Sequence, residues 1–102
     1  MTNANSEVFR PAESWAQIGG LNVRYLDWGG DEPPIMALHG LASSANWYDI
    51  VAQLLREHGR IIAPDQRGHG QTTQADTGYD WQTLSSDIVG LMDHLGIDKA
   101  TV

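Results

Sequence analysis

The sequence predicts an α/β fold: a mostly parallel sheet with flanking helices that opens on an antiparallel hairpin. Three observations carry that prediction. Short β-prone runs alternate with stretches of helical apolar spacing, in the order β-β-β-α-β-α-β. Residues 35–38 are continuously apolar, as a strand buried on both faces is, and residues 60–63 read as a second short buried strand. Glycine and proline clusters separate the runs.

Taken in order, residues 1–13 are polar, aperiodic and interrupted by Pro11, which predicts a loose tail. Residues 15–18 and 21–28 form two strands joined at Gly19-Gly20, a pair suited to a tight hairpin. The breaker cluster Gly29-Gly30-Asp31-Glu32-Pro33-Pro34 leads into the strand at 35–38, which His39-Gly40 ends. From Asn46, the residues Trp47, Ile50, Val51, Leu54 and Leu55 follow the i, i+3, i+4, i+7, i+8 spacing of one helix face. That face, Trp47 included, is expected to pack on the sheet, with Ser43 and Ser44 capping the helix start. Gly59 closes this helix, and Pro64 with the run DQRGHG turns the chain after the strand at 60–63. Asp80 reads as the N-cap of a second helix carrying Leu84, Ile88, Leu91, Met92 and Leu95 on one face. Gly96 followed by Ile97 fits a Schellman ending, and residues 99–102 look like the opening of another strand.

Composition narrows the function classes. The chain has 102 residues, room for one small domain with a modest core. Thirteen acidic residues outnumber six scattered basic ones for a net charge of −7, so neither nucleic acid nor an anionic membrane is an expected partner. Cysteine is absent, which excludes disulfides and thiolate zinc sites. The first residues have neither a basic nor an apolar leader region, and no run approaches the ~20 apolar residues that span a membrane. A cytoplasmic location is the default expectation. His39, His58, His69 and His94 show no i, i+4 pair, so no metal site is expected. Gly68 and Gly70 lack the third glycine of a dinucleotide fingerprint, and no cofactor is implied.

Three segments together, IMALHGLASSANWYDIVAQLL, RIIAPDQRGHGQT and DHLGIDKATV, resemble the α/β-hydrolase superfamily in order, spacing and residue type. The resemblance covers roughly residues 14–102. It implies an N-terminal portion of that fold, with residues 99–102 opening the strand that leads to the nucleophile elbow G-x-S-x-G. None of the eleven glycines flanks a serine or aspartate in that arrangement. By the resemblance, nucleophile, acid and base all lie beyond Val102, and the isolated chain is expected to be inactive.

The chemistry left to this chain is one oxyanion donor. The resemblance assigns it to the backbone N–H of Leu41, with His39 and Gly40 supporting the loop. A strand end opening into a helix start also exposes free N–H groups on general grounds, and Gly40 lets backbone approach a substrate closely. His39 is expected to be a buried polar group satisfied by loop backbone and not a general base. Asp65, Arg67, Gly68 and Gly70 read as a structural turn, with Asp65 accepting turn N–H groups or pairing with Arg67.

The function this suggests is a serine hydrolase of small, largely apolar esters, lactones or related carbonyl compounds. Leu41 disfavours dehalogenases, which usually carry a polar halide-binding residue after His-Gly, and epoxide hydrolases, which commonly show His-Gly-Phe-Pro. A hydrolase-like small-molecule receptor or scaffold with little turnover is the alternative from another class. A small-molecule substrate is the expected partner of a complete protein. For the isolated chain, the exposed edge of the strand at 35–38 predicts self-association.

Overall fold

A computed structural model describes residues 9–102. Its strands are β1 (Ala12–Ile18), β2 (Leu21–Gly29), β3 (Pro34–Met36) and β4 (Arg60–Pro64). Two helices follow the expected order, α1 (Val51–Leu55) and α2 (Trp81–Leu95), and 3-10 turns at Ala45–Tyr48 and Arg56–His58 flank α1. The strands lie in the order β1-β2-β4-β3.

The sheet is mixed rather than mostly parallel. β1 pairs antiparallel with β2 through Gly19-Gly20 as expected. β2 also pairs antiparallel with β4, and among the named strands only β3 and β4 run parallel. The hairpin explains the difference: its second strand is the one that meets the parallel pair, so it brings an antiparallel ladder with it. On the far side of β3, Thr101 forms a parallel bridge with Ile35, its carbonyl accepting from Met36 N at 2.7 Å. Residues 99–102 therefore begin to add a strand on that edge.

Alternation along β2 divides the core in two. Val23 and Tyr25 join Met36, Ile62 and Leu91 on the face covered by α2. Leu26 and Trp28 join Ile61, Ala63, Ala45 and Ala52 on the face covered by α1. The side chains of one strand alternate between faces, so β2 and β4 serve both cores at once.

α2 matches its expected pattern. Asp80 accepts from Thr83 N at 3.0 Å, capping the first turn. Leu91 is fully buried, with Ile88, Met92 and Leu95 packed around it. Gly96 takes φ 70, Gly96 N donates to Asp93 O, and Ile97 N donates to Met92 O at 2.9 Å. These are the two hydrogen bonds of a Schellman motif, and Ile97 packs back into the core.

The first helix departs from expectation in length and in face. It is five residues between two 3-10 turns, and Trp47, Ile50 and Leu54 are 64%, 79% and 73% exposed. The residues turned inward are Ala45, Tyr48, Ala52 and Leu55, a second stripe at i, i+3, i+7, i+10. Both stripes are apolar. The one with two alanines lies inward, where small side chains let backbone approach the sheet, and Tyr48 Oη donates to Leu38 O at 2.6 Å.

The expected tail is also shorter than residues 1–13. β1 begins at Ala12, and Glu13 accepts from Arg24. Gln53 clamps the Phe9 backbone, accepting from its N–H and donating to its carbonyl, while the Arg56 guanidinium lies 3.7 Å over the Phe9 ring. The rest of that expectation falls outside the described residues. Among the described residues no helix is long and apolar enough to cross a membrane.

Candidate active site: the loop after β3

β3 and β4 run parallel, so their carboxyl ends open on the same side. The loop after β3 carries His39, and the turn after β4 begins at Asp65. Ligand sites of parallel α/β sheets lie at such strand ends. A cavity of 230 Å³ lies here, lined by His39, Gly40, Leu41, Gln66, His69, Tyr79 and Leu84.

Two consecutive residues of β4's end hold both ends of the β3 loop. Asp65 Oδ1 accepts from Ala45 N at 2.8 Å. Gln66 N donates to His39 Nε2 at 2.9 Å, and Gln66 Nε2 donates to His39 O at 2.7 Å. Between these anchors Ser43 N donates to Gly40 O at 3.2 Å, and Ala42 takes φ 63, an uncommon conformation for a residue with a Cβ. Leu41 is 93% exposed, and its N–H donates to no other group among the described residues.

His39 is buried and uses both ring nitrogens. Nε2 accepts from Gln66 N, so Nδ1 carries the proton and donates to Gly40 O at 2.8 Å. Both ring nitrogens are thus engaged with loop backbone, as expected of a buried polar group here. Its neighbour His69, with ring centroids 4.9 Å apart, directs Nδ1 to Arg67 O.

Asp65 accepts turn N–H groups as expected, including Gln71 N at 2.9 Å, but its cationic partner is Arg24 and not Arg67. Arg67 is occupied elsewhere, in a two-pronged contact from Nε and Nη2 to the Asp87 carboxylate on α2. Arg24 lies on the α1 face of β2 and reaches Asp65, Glu13 and Asn46 together. Burial pushes the Asp65 carboxyl up, yet the Gln71 and Ala45 N–H groups and the Arg24 guanidinium outweigh that and hold it below the usual carboxylate range. Gly70 belongs to this turn by necessity: a Cβ there would run into the Asp65 carboxylate, and one at Gly68 would run into Tyr79. Ser44 makes no side-chain cap. Asp65, twenty residues on, satisfies the Ala45 N–H in its place.

Sequence reasoning missed Arg24 and Gln66. Arg24 left a signal, a charge on the same strand face as Leu26 and Trp28. Gln66 left none, because half of its contribution is backbone N–H. Among the described residues no group of three or more His, Cys, Asp or Glu is placed to hold a metal ion.

The family described as alpha/beta hydrolase fold matches residues 33–102, more than half of the chain. This chain belongs to the α/β-hydrolase family. It is 39% identical over 83 residues to a non-heme chloroperoxidase of Streptomyces lividans, covering 79% of this chain and 30% of that protein. It is 32% identical over 83 residues to a bifunctional esterase/perhydrolase of Acinetobacter calcoaceticus, again 79% of this chain and 30% of the relative. The solved structure of the epoxide hydrolase CorEH without ligand superposes with a TM-score of 0.84 at 34% identity, covering 88% of this chain and 31% of that one. The chain thus spans about 30% of the length of these relatives. As an α/β-hydrolase segment it contributes the two parallel strands, their end loops and the hairpin beside them.

Proposed function

We propose that this chain supplies the oxyanion loop of a serine hydrolase acting on small, largely apolar esters, lactones or related carbonyl compounds. The observation that carries the reading is the loop at His39-Gly40-Leu41, which presents a Leu41 N–H with no partner among the described residues beside a cavity while its two ends are anchored. Pre-set N–H donors of this kind stabilise the oxyanion of a tetrahedral intermediate because they need no reorganisation when charge develops. No serine of the chain lies in a G-x-S-x-G arrangement, so the reading requires a nucleophile, acid and base from residues outside it. The esterase/perhydrolase relative supports ester chemistry.

An epoxide hydrolase is the second reading, favoured by the CorEH superposition. Leu41 after His-Gly weighs against it.

The full-length protein should be assayed on p-nitrophenyl butyrate, a γ-lactone, styrene oxide and 1-bromobutane, with labelling by a serine-directed phosphonate. Ester or lactone turnover that phosphonate abolishes is the expected result. Epoxide opening that resists phosphonate would move the assignment to the second reading, and ligand binding without turnover would indicate a receptor.

A further inference from the structure

A trans peptide unit is planar, with its carbonyl and its N–H pointing in opposite directions. The Leu41 N–H shares such a unit with the Gly40 carbonyl. Whatever fixes that carbonyl therefore fixes the direction of the donor. Two groups do so: His39 Nδ1 at 2.8 Å and Ser43 N at 3.2 Å. The shorter bond needs a proton on Nδ1, and an imidazole places it there when Nε2 is required as an acceptor. Gln66 N–H imposes that requirement at 2.9 Å. Gln66 Nε2 also holds the His39 carbonyl at 2.7 Å, so the ring's own backbone is pinned to the same residue.

From this geometry we propose that His39 is a positioning residue, and that the bonds Gln66 N–H to His39 Nε2 and His39 Nδ1–H to Gly40 O form a relay that aims the Leu41 N–H. The inference rests on the serine-hydrolase reading above. It gives a neutral, buried imidazole a directional role, in which the ring transmits the position of the β4 end to the peptide unit after β3. The loop has a reason to need such control. Gly40 is exposed and a Cβ placed on it would meet nothing within 4 Å, so no side-chain packing holds this residue; Ala42 sits at φ 63, and the peptide between them depends on hydrogen bonds for its orientation.

The substitutions that test the relay separate the two ring nitrogens. His39→Asn retains a donor near the Nδ1 position, His39→Gln retains an acceptor near Nε2 without the donor to Gly40, and His39→Phe retains neither. In the full-length protein, kcat for a p-nitrophenyl ester is measured per phosphonate-labelled site, which removes any loss of folded protein from the comparison. His39→Gln and His39→Phe should lower kcat by roughly ten- to a hundred-fold with KM changed less than about three-fold, approaching the loss seen when an oxyanion donor is deleted. His39→Asn should recover kcat to within about five-fold of the parent. Nitrogen-15 spectra of the parent should show His39 as the Nδ1–H tautomer. An Nε2–H tautomer, or equal kcat per labelled site in all three variants, overturns the relay alone. A parent protein that neither turns over esters nor takes the phosphonate overturns the hydrolase reading and the relay with it.

Discussion

Arg24 donates from Nη1 to Asp65 Oδ2 at 3.0 Å, joining the hairpin to the end of β4 through two side chains that are 8% and 0% exposed. The pair stands behind the site, since Asp65 also holds the Ala45 N–H that ends the β3 loop. Removing one partner of a buried pair leaves the other charge uncompensated, at a cost of about 3–5 kcal/mol. Arg24→Met should destabilise the full-length protein by about 3 kcal/mol in urea unfolding, near the low end because two N–H groups still serve Asp65. A loss under about 1 kcal/mol would show that the pair does not organise this corner.

Acid should act through the same carboxylate. Asp65 binds its proton more weakly folded than unfolded, against the push of burial, because of the Gln71, Ala45 and Arg24 donors. The unfolded state takes up the proton first, so the contribution is complete above about pH 4 and is lost as pH falls through the lower folded value. Stability should therefore fall more steeply below about pH 4 in the parent than in Asp65→Asn. Asp80, also held below its usual range by the Thr83 backbone N–H, is present in both proteins and cancels. Equal acid slopes in urea titrations would contradict this role for Asp65.

Two glycines should respond oppositely to alanine. At Gly70 the φ is 53 and a Cβ would strike the Asp65 carboxylate, so Gly70→Ala should cost about 2 kcal/mol in thermal or urea unfolding. Gly40 has open space around it, so Gly40→Ala should change stability by less than about 0.5 kcal/mol. On the proposed reading its methyl group would nevertheless stand where substrate approaches, and ester turnover should drop roughly tenfold or more. Full activity in Gly40→Ala would argue that substrate does not come near this peptide.

The sequence made α2 legible because its bulky residues occupy one stripe and its caps, Asp80 and Gly96, carry their chemistry locally. α1 was harder for a physical reason. Ala45, Tyr48, Ala52 and Leu55 compete with Trp47, Ile50 and Leu54 for the inside, and periodicity alone does not weigh a methyl group that allows close approach against an indole that prevents it. The position of the His39-Gly40-Leu41 loop followed from the strand-to-helix transition. The anchors of that loop did not, since Arg24, Asp65 and Gln66 act across 20 to 41 residues of chain through contacts that leave little trace in a local pattern.

The edge of β3 predicts how the 102-residue chain behaves alone. Thr101 bonds that edge at Met36 N and Pro34 O, and among the described residues no strand partner continues along it past Met36, so the apolar edge is covered only in part. Trp47, Ile50 and Leu54 add exposed apolar surface. Sedimentation velocity should show self-association of the isolated chain. A monomer that unfolds cooperatively in a thermal melt would contradict this.

The most direct test of the oxyanion loop is a crystal structure of the full-length protein carrying a phosphonate on its nucleophile. A phosphoryl oxygen should lie about 2.7–3.1 Å from the Leu41 backbone nitrogen, with His39 Nδ1 still bonded to Gly40 O. A phosphoryl oxygen held by other donors, with the Leu41 N–H turned away, would show that this loop does not form the oxyanion hole.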